Sequence, residues 1–281
     1  MLSSEDVKDD LDDFIYQAAG HQYINGFRTF LKCNDGTLLK IFQDGNRGHR
    51  EMEFYSEIFS ANHDSDQTAS ALRHFMPTYF GTVTIKNDKN SQPYMKISDV
   101  TSKFKRPCVI DLKIGRRTYD PLATEAKRAR AVDKYPLQDQ IGFRIDGMKV
   151  YNSDTGNYDD YDKIFGRKLD DDTIVNGLSL FYPKEEGWKI SLIDNTILRL
   201  QALLQWFNSQ SRWLFFSSSL LIVYDSDKDS SNEVDIKLVD FTHTYESAVV
   251  MNDTNANCTD NNTIYGLNSL LKKLNELKVR C

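Results

Sequence analysis

Hydrophobic and polar positions follow two spacings along the chain, with short alternating runs first and longer helical runs afterwards. Residues 29–33 and 37–42 are strand-like and flank Asp35-Gly36, a dipeptide typical of tight turns, so we predict an antiparallel hairpin there. The dipeptide Asn25-Gly26 indicates a second turn just before it. The same patterns predict two further strands and a helix in this part of the chain, over residues 80–85, 94–97 and 50–59.

After residue 100 the pattern predicts a larger part that mixes strands and helices. A small strand-rich part followed by a larger mixed part suits two lobes with a cleft between them, near residues 98–103. We therefore predict an α+β fold with an acidic leader (1–13), a first lobe (14–100) and a second lobe (101–281). In the second lobe we expect strands over 109–114, 143–151, 215–224 and 234–241, helices over 121–134, 171–181, 192–208 and 265–279, and a polar turn over 152–162.

Composition and charge add a local anion site to this outline. The 281 residues are 40% hydrophobic and 27% charged, which is enough apolar material for a packed core. The net charge is −6, yet residues 103–134 hold ten basic and four acidic side chains, a local net charge of +6. This contrast favours a local site for a small anion and argues against nucleic acid as a partner.

Four cysteines are scattered along the chain without the close spacing of a disulfide framework or a zinc site. Reduced thiols of this kind predict a location in the cytoplasm, the nucleus or both. No apolar run is long enough to span a bilayer, and the acidic N-terminus does not resemble a secretory signal. The chain shows no heptad pattern, so we expect a monomer.

Asp111 and Lys113 lie two residues apart in the predicted strand 109–114, so their side chains should point to the same face. The alternate residues of that strand would then point into a core (Ile110, Leu112 and Ile114). A carboxylate and an ammonium group would stand side by side at the mouth of the cleft. On this spacing alone, a surface ion pair on an edge strand is an equally good interpretation.

Phosphoryl transfer needs cations on the phosphates and carboxylates on magnesium. Asp240 ends an apolar strand in an Asp-Phe step, where kinases keep a magnesium-holding carboxylate, although an ordinary strand end fits as well. Three basic residues of the predicted helix 121–134 fall within about 60° of one another on its surface, at 100° per residue. These residues are Lys127, Arg130 and Lys134. A solvated helix face or a nuclear localisation signal would show the same pattern.

Together with Lys40, which lies on the early hairpin, these stretches resemble the inositol polyphosphate kinase family from about residue 17 to 277. The family's PxxxDxKxG hallmark is matched by Pro107, Asp111, Lys113 and Gly115. Its SSLL strand is matched by residues 218–221 and its late Asp-Phe step by residues 240–241. Within the family the chain is most similar to the multikinases, through stretches such as 99–121, 134–137 and 147–151.

The resemblance implies a two-lobed kinase-like fold with antiparallel sheets, flanking helices and an ATP cleft between the lobes. ATP and Mg²⁺ would be the cofactors and inositol phosphates the substrates, with phosphoinositide headgroups as a further candidate. The implied nucleotide site consists of Lys40, Ser98, Asp99, Val100, Asp111 and Asp240, with Asp240 also holding the metal. Asp111 would touch the ribose, and Lys113 would neutralise charge on the transferred phosphoryl group. Substrate phosphates would meet a segment at 120–170 and its neighbours, through Lys113, Lys127, Arg130, Lys134, Lys149, Lys163 and His243.

Three functions remain open from the sequence. A multikinase would convert inositol 1,4,5-trisphosphate to tetrakis- and pentakisphosphates. A hexakisphosphate kinase would make inositol pyrophosphates and would need a more cationic pocket, and the extra basic residues Arg130, Lys149 and Lys163 keep this alternative open. The resemblance leads one to expect amide side chains near Arg130 and Ala131. A non-catalytic module that binds phosphoinositides or a protein partner is the third, although such modules usually lose one of the site residues. Ser98 also departs from the acidic residue common in animal multikinases, but contacts through the backbone would survive that change.

Overall fold

The computed structural model describes residues 11–61, 65–86, 91–227, 229, 232–251 and 258–281. The predicted acidic leader lies largely outside the described residues, and its last three form a short strand. Within these ranges, no helix combines the length and the hydropathy that crossing a bilayer requires.

The first part of the chain forms an antiparallel sheet with two helices. Five of its described strands pair in the order β1-β4-β5-β7-β6, and the two others form a separate small hairpin. Both predicted turns are present, because Asn25, Gly26 and Gly36 adopt the left-handed backbone that such turns need, with φ of 50°, 81° and 78°. The elements are β1 (Leu11–Asp13), β2 (Tyr23–Ile24), β3 (Phe27–Arg28), β4 (Phe30–Cys33), β5 (Thr37–Ile41), α1 (Asn46–Ile58), α2 (Gln67–Arg73), β6 (Tyr79–Lys86) and β7 (Ser91–Ser98).

The second part is built on another antiparallel sheet, in which five described strands pair in the order β10-β9-β8-β12-β13. Strand β8, with Asp111 and Lys113, is its middle strand. The α+β prediction, with antiparallel sheets and flanking helices, is confirmed. The elements are β8 (Pro107–Ile114), α3 (Glu125–Lys134), α4 (Gln138–Ile141), β9 (Phe143–Asn152), β10 (Asn157–Tyr161), α5 (Lys163–Arg167), α6 (Ile174–Phe181), α7 (Glu186–Ser209), β11 (Trp213–Phe215), β12 (Ser219–Asp225), β13 (Val234–Val239), β14 (Thr244–Glu246), α8 (Ser247–Met251) and α9 (Asn261–Val279).

Two segments differ from the prediction. The polar turn expected over 152–162 contains strand β10, which pairs with β9 through a tight turn at Gly156 (φ 71°). The acidic side chains of β10 made the segment look like a polar turn. The strand is nevertheless packed, because Tyr158 lies edge-on against Tyr151. The single strand expected over 215–224 is interrupted at Ser217, which has a φ of 58°. Before the break, β11 pairs with β14 in a small two-stranded sheet. After it, β12 pairs with β13 in the second five-stranded sheet.

Aromatic packing joins the helix α1 to the second sheet. Phe54 lies 4.9 Å from Phe241 and 5.9 Å from Phe215 between ring centroids, and Tyr55 lies 5.2 Å from Phe241. All four rings are at most 7% exposed and belong to one continuous core. Burying rings of this size is among the largest apolar contributions that a core can make. The packing therefore fixes the face of α1 that carries Glu51 against the end of β13, next to Asp240.

One glycine lets the helix α5 approach the central sheet. A Cβ atom at Gly166 would lie 1.8 Å from the carbonyl oxygen of Ile145 on β9, a distance that no side chain can tolerate. Since the clashing atom belongs to the backbone, it could move only with the strand. Gly166 thus sets the distance between α5, with Lys163, and the strand beside Lys113.

We expect Gly166→Ala to lower the free energy of unfolding by more than about 1 kcal/mol, because α5 must separate from β9. Gly187→Ala is the matched control, since a Cβ at Gly187 meets no atom within 4 Å. Gly187 lies in α7, where alanine favours the helix by up to about 1 kcal/mol, so this variant should match or exceed the wild type. Urea denaturation of the three proteins measures the difference. Equal stability of Gly166→Ala and wild type would contradict the close approach.

Candidate functional site

A cleft of about 520 Å³ lies between the two sheets. Its apolar walls come from both, with Leu38 and Ile97 on the first sheet and Val109, Leu221 and Val239 on the second. Its polar end carries two carboxylates and a lysine (Lys40, Asp111 and Asp240). An apolar slot that ends in a few charged groups suits a ligand with a flat ring and a charged tail.

Lys40 occupies the middle of an ion-pair chain at this polar end. Its Nζ lies 2.7 Å from Oε1 of Glu51 on α1 and 2.8 Å from Oδ1 of Asp240. Lys40 is 6% exposed and Glu51 is fully buried. Burial by itself would lower the pKa of Lys40, but the two carboxylates raise it above its ordinary value. Lys40 therefore stays charged, and it is held in one position by partners from two elements.

Asp240 holds a second lysine on its other oxygen. Oδ2 of Asp240 lies 3.2 Å from Nζ of Lys113, which also donates to the carbonyl oxygen of Ser217 at 2.8 Å. Asp240 follows strand β13 and has a φ of 66°, a backbone conformation that is rare for residues other than glycine. Burial opposes the charge of Asp240, yet Lys40 and Lys113 hold its pKa below the usual range. One carboxylate thus joins two buried ammonium groups, an arrangement that we call the Lys40–Asp240–Lys113 bridge.

Asp111 lies on the cleft face of β8, while Ile110 and Leu112 are fully buried on the opposite face, as the alternation predicted. One of its oxygens, Oδ1, is buried and has no hydrogen-bond partner within the described residues. Burial is the main reason why the pKa of Asp111 is raised to about 7, and the charges of Asp146 and Asp240 add to the effect. A buried carboxylate with a vacant acceptor atom is suited to binding a ligand hydroxyl or a metal-bound water.

Three of the implied nucleotide-site residues, 98–100, begin at the last residue of β7. Ser98 and Val100 line the cleft. Asp99 is turned into the protein at 3% exposure, and its Oδ1 accepts hydrogen bonds from the N–H and the hydroxyl of Thr101 at 2.8 and 2.6 Å. The Asp99 side chain thus shapes the turn between the sheets, and a ligand in the cleft would meet the flanking residues.

The basic residues of α3 lie on an exposed helix, of which no residue is buried. Lys127 pairs with Asp120 at 3.3 Å, and Arg130 donates to the carbonyl oxygen of Ala126 at 3.2 Å. Partial burial and the charge of Arg144 lower the pKa of Lys134, and Arg167 and Lys163 act in the same direction. Lys134 therefore sits among other cations with little compensation, as a site for a polyanion requires.

Lys149 and Lys163 occupy different surroundings. The strand register places Lys149 opposite Val109, four residues and therefore about 13 Å along β8 from Lys113. Its Nζ binds Oδ1 of Asp160 on β10 at 2.5 Å. Lys163 begins α5 and lies near enough to Lys134 to influence its titration. The structure thus brings Lys163 to the α3 cations and leaves Lys149 farther along the sheet.

Sequence reasoning missed a buried arginine beside Lys113. Arg144 on β9 pairs directly with Lys113 in the register and is 5% exposed. It donates to Asp146 at 2.7 Å and to the side-chain oxygen of Gln138 at 2.8 Å. A β-bulge follows, because Asp111 faces Gly147 while Leu112 faces Ile145, which leaves Asp146 unmatched and aimed at the site. The sequence did offer a signal, since two charged residues, Arg144 and Asp146, interrupt an apolar strand. Only the strand register shows that Arg144 lies opposite Lys113.

His243 follows the bridge by three residues and approaches α3. Its Nδ1 lies 2.9 Å from Oδ2 of Asp120, out of hydrogen-bond alignment. Burial and the charge of Lys127 lower the pKa of His243 to about 4, while Asp120 opposes them. The imidazole is therefore neutral at pH 7, and it lies between the bridge and the α3 cations.

The bridge also decides where a divalent cation could sit. Among the described residues, no three His, Cys, Asp or Glu side chains gather into a metal-binding group. Magnesium in phosphate-transfer sites is commonly held by one or two carboxylates, phosphate oxygens and waters, so a full set of protein ligands is not needed. Asp240, whose side chain is 33% exposed, is a carboxylate with access to the cleft and fits that role.

Known proteins of one family are similar in sequence to this chain. A family model described as inositol polyphosphate kinase matches residues 94–275. An inositol polyphosphate multikinase of Homo sapiens is 37% identical over 227 residues, which cover 81% of this chain and 53% of the relative. Inositol hexakisphosphate kinase 3 of Mus musculus is 32% identical over 66% of this chain and 51% of the relative. The chain thus spans about half the length of these curated relatives.

Two solved structures share the fold. An inositol phosphate multikinase of S. cerevisiae in complex with ADP and Mn²⁺ superposes with a TM-score of 0.67 at 23% identity, covering 85% of this chain and 98% of that one. A second inositol phosphate multikinase superposes with a TM-score of 0.64 at 26% identity, covering 81% and 99%. With a family model that matches well over half of its length, and with the multikinase relative at 37% identity, the chain belongs to the inositol polyphosphate kinase family.

Proposed function

We propose that this protein is an ATP- and Mg²⁺-dependent kinase that phosphorylates inositol polyphosphates, as a multikinase acting from inositol 1,4,5-trisphosphate to the tetrakis- and pentakisphosphates. The observation that carries the proposal is the Lys40–Asp240–Lys113 bridge, which joins the polar end of the cleft to Lys113 beside Arg144. Phosphoryl transfer needs charge at the point where nucleotide and acceptor meet, and the bridge would supply it.

The nucleotide side of the proposal rests on the cleft. Its apolar walls would hold the adenine, and the backbone near Ser98 and Val100 would meet the edge of the ring. Lys40, fixed by Glu51, would bind the α- and β-phosphates, and Asp240 would bind the metal. When bound, MgATP supplies the phosphoryl group and neutralises part of its charge. The S. cerevisiae relative was solved with ADP and Mn²⁺, which supports nucleotide and divalent-metal use, and we propose Mg²⁺ as the metal here.

The acceptor side rests on cations from three elements. Lys127, Arg130 and Lys134 on α3, with Lys163 on α5, would bind the phosphates of the inositol ring. Lys113 uses two contacts, Ser217 and Asp240, and an ammonium group has three protons, so one remains for the transferred phosphoryl group. The residues thus orient an inositol hydroxyl for in-line attack and stabilise the developing charge. Lys149, paired with Asp160, would act only on a substrate that reaches along the sheet.

An inositol hexakisphosphate kinase is the second candidate. The buried Arg144 beside Lys113 adds a cation to Arg130 and Lys163, and a more cationic pocket favours a substrate with more phosphates. A phosphoinositide headgroup shares the same phosphate chemistry and would use the same cations. We further propose that the protein is a monomer. We also propose that it is located in the cytoplasm or nucleus, and its free thiols support that location.

Incubation with ATP and Mg²⁺ and, separately, inositol trisphosphate, inositol hexakisphosphate or a phosphoinositide in vesicles separates these candidates. Anion-exchange chromatography of the soluble products and lipid extraction of the vesicles show which acceptor gains phosphate. We expect turnover of the trisphosphate to higher phosphates. Turnover of the hexakisphosphate alone would favour the second candidate, and turnover of none would contradict the kinase assignment.

Asp240→Asn should reduce kcat by at least about a thousandfold, because it removes the metal ligand and the charge that positions both lysines. The change keeps the size of the side chain, so the circular dichroism spectrum should match that of the wild type. Asp194→Asn, which removes the partner of Lys278 on the far helices α7 and α9, is the control and should keep full activity. Turnover that survives in Asp240→Asn would refute the metal assignment.

Lys127→Ala combined with Lys134→Ala should raise the KM for the inositol phosphate and leave the KM for ATP nearly unchanged, because α3 lies outside the nucleotide cleft. The control is Lys184→Ala combined with Lys278→Ala, which removes two lysines from surface ion pairs elsewhere. Steady-state kinetics with each substrate varied in turn give both constants. A parallel rise of both KM values would mean that α3 does not distinguish the two ligands.

In the protein without metal or nucleotide, Asp111 should make stability depend on pH. Its pKa is about 7 when folded and lies above the value of 3.8 for an exposed aspartate, so the folded state retains a proton that the unfolded state has lost between those values. Stability relative to Asp111→Asn should therefore fall as the pH rises from 4 to 7 and level off above. Urea denaturation of both proteins at pH 5 and pH 8 tests this, and a constant difference would contradict the raised pKa.

A further inference from the structure

A buried carboxylate connects Lys127 and His243, two residues on different elements that the family resemblance assigns to the substrate phosphates. Asp120 lies in the connection between β8 and α3 and is 3% exposed. Its Oδ2 atom is 3.3 Å from Nζ of Lys127 and 2.9 Å from Nδ1 of His243. A single oxygen atom therefore serves two side chains, one from α3 and one from the segment between β13 and β14.

The two partners of Asp120 differ in how firmly they are held. The Lys127 side chain is 50% exposed and its stem is flexible, so it can leave the carboxylate for a phosphate in the open site. His243 is 17% exposed and cannot move far. In the free protein the imidazole is out of alignment with Asp120, and Lys127 pairs with the same oxygen.

Groups on α1 and β14 also lie near His243. Arg47 and Arg50 on α1 add positive charge, and Tyr245 on β14 binds Arg50 through its hydroxyl at 2.9 Å. Among the charges with the largest influence on His243, Asp120 is an anion and Lys127 opposes it. The hydroxyl of Tyr245 also interacts with Asp120. Removing Lys127 from Asp120 therefore leaves a buried carboxylate with His243, at 2.9 Å, and Tyr245 as its neighbours, and a buried charge without enough partners is costly.

We propose that Asp120 is a positioning residue that couples Lys127 to His243. When Lys127 moves to a substrate phosphate, Oδ2 of Asp120 accepts a hydrogen bond from Nδ1–H of His243, and this bond turns Nε2 toward the acceptor group of the inositol ring. No covalent bond changes in this step, and the proton on Nδ1 is that of the neutral imidazole. The proposal rests on the proposed function for the identity of the substrate, but the coupling between the three side chains belongs to the free protein and can be tested there.

Nitrogen-15 NMR of protein labelled at histidine measures the coupling without catalysis. The wild type, Lys127→Met and Asp120→Asn are compared without metal and without nucleotide, and the His243 signal is assigned with His243→Gln. In Lys127→Met we expect His243 to titrate at a higher pH than in the wild type and to carry its proton on Nδ1 at pH 7. In Asp120→Asn this preference for Nδ1–H should be lost. Lys127 is largely exposed, so the first variant should fold even if Asp120→Asn does not.

Addition of inositol 1,4,5-trisphosphate without ATP provides the substrate arm. In the wild type it should shift His243 in the same direction as Lys127→Met does, and in Lys127→Met it should add little. Identical titration and tautomer of His243 in the wild type and Lys127→Met would overturn the proposal. If the trisphosphate moves no resonance at all while the variants still differ, the proposed substrate is wrong and the coupling stands.

Kinetics separate positioning from a structural role. Asp120→Asn should lower kcat and raise the KM for the inositol phosphate while the KM for ATP stays constant, and Asp120→Glu should restore part of the loss. Asp194→Asn serves again as the control carboxamide variant away from the site. If both KM values of Asp120→Asn rise equally and Asp120→Glu restores no activity, Asp120 has a structural role only, and the assignment is overturned.

Discussion

The structure of the site depends on one carboxylate that binds two buried lysines. Asp240 places Lys40 and Lys113 on its two oxygens, and neither lysine could stay charged at its depth without a negative partner. Lys40 comes from the first sheet and Lys113 from the second, so the same ion pairs also close the cleft. Charge at the reaction centre and the relative position of the lobes thus have a common origin, and a change at Asp240 affects both.

The packing around the bridge serves its geometry. Aromatic side chains hold α1 against the second sheet, so that Glu51 reaches Lys40 from behind. The left-handed backbone at Asp240 turns its carboxylate back toward the cleft, and Ser217, which also has a positive φ, offers its carbonyl oxygen to Lys113. Strained backbone of this kind persists where surrounding contacts determine it, and here it aims the groups that would carry the chemistry.

Local chemistry in the sequence was enough to predict much of this arrangement. The turns at Asn25-Gly26 and Asp35-Gly36, the alternation around Asp111 and the basic face of α3 follow from spacing, and each is present in the structure. What spacing could not provide were contacts between distant residues. Lys40 and Asp240 are two hundred positions apart, and the pairing of Arg144 with Lys113 depends on a β-bulge that no local pattern reveals. Asp120 was missed for the same reason, because its proposed role depends on its contacts with two residues that are distant in sequence or on another element.

The central claim is that the bridge is the meeting point of nucleotide, metal and acceptor. A crystal structure of the protein with Mn²⁺ and a non-hydrolysable ATP analogue tests it most directly, because the anomalous signal of manganese locates the metal without reference to any assumed chemistry. The account predicts an anomalous peak bonded to Asp240, with the phosphates of the analogue on Lys40 and its adenine between the apolar walls of the cleft. Metal bound elsewhere, or a nucleotide that leaves Lys40 paired only with Glu51 and Asp240, would contradict it.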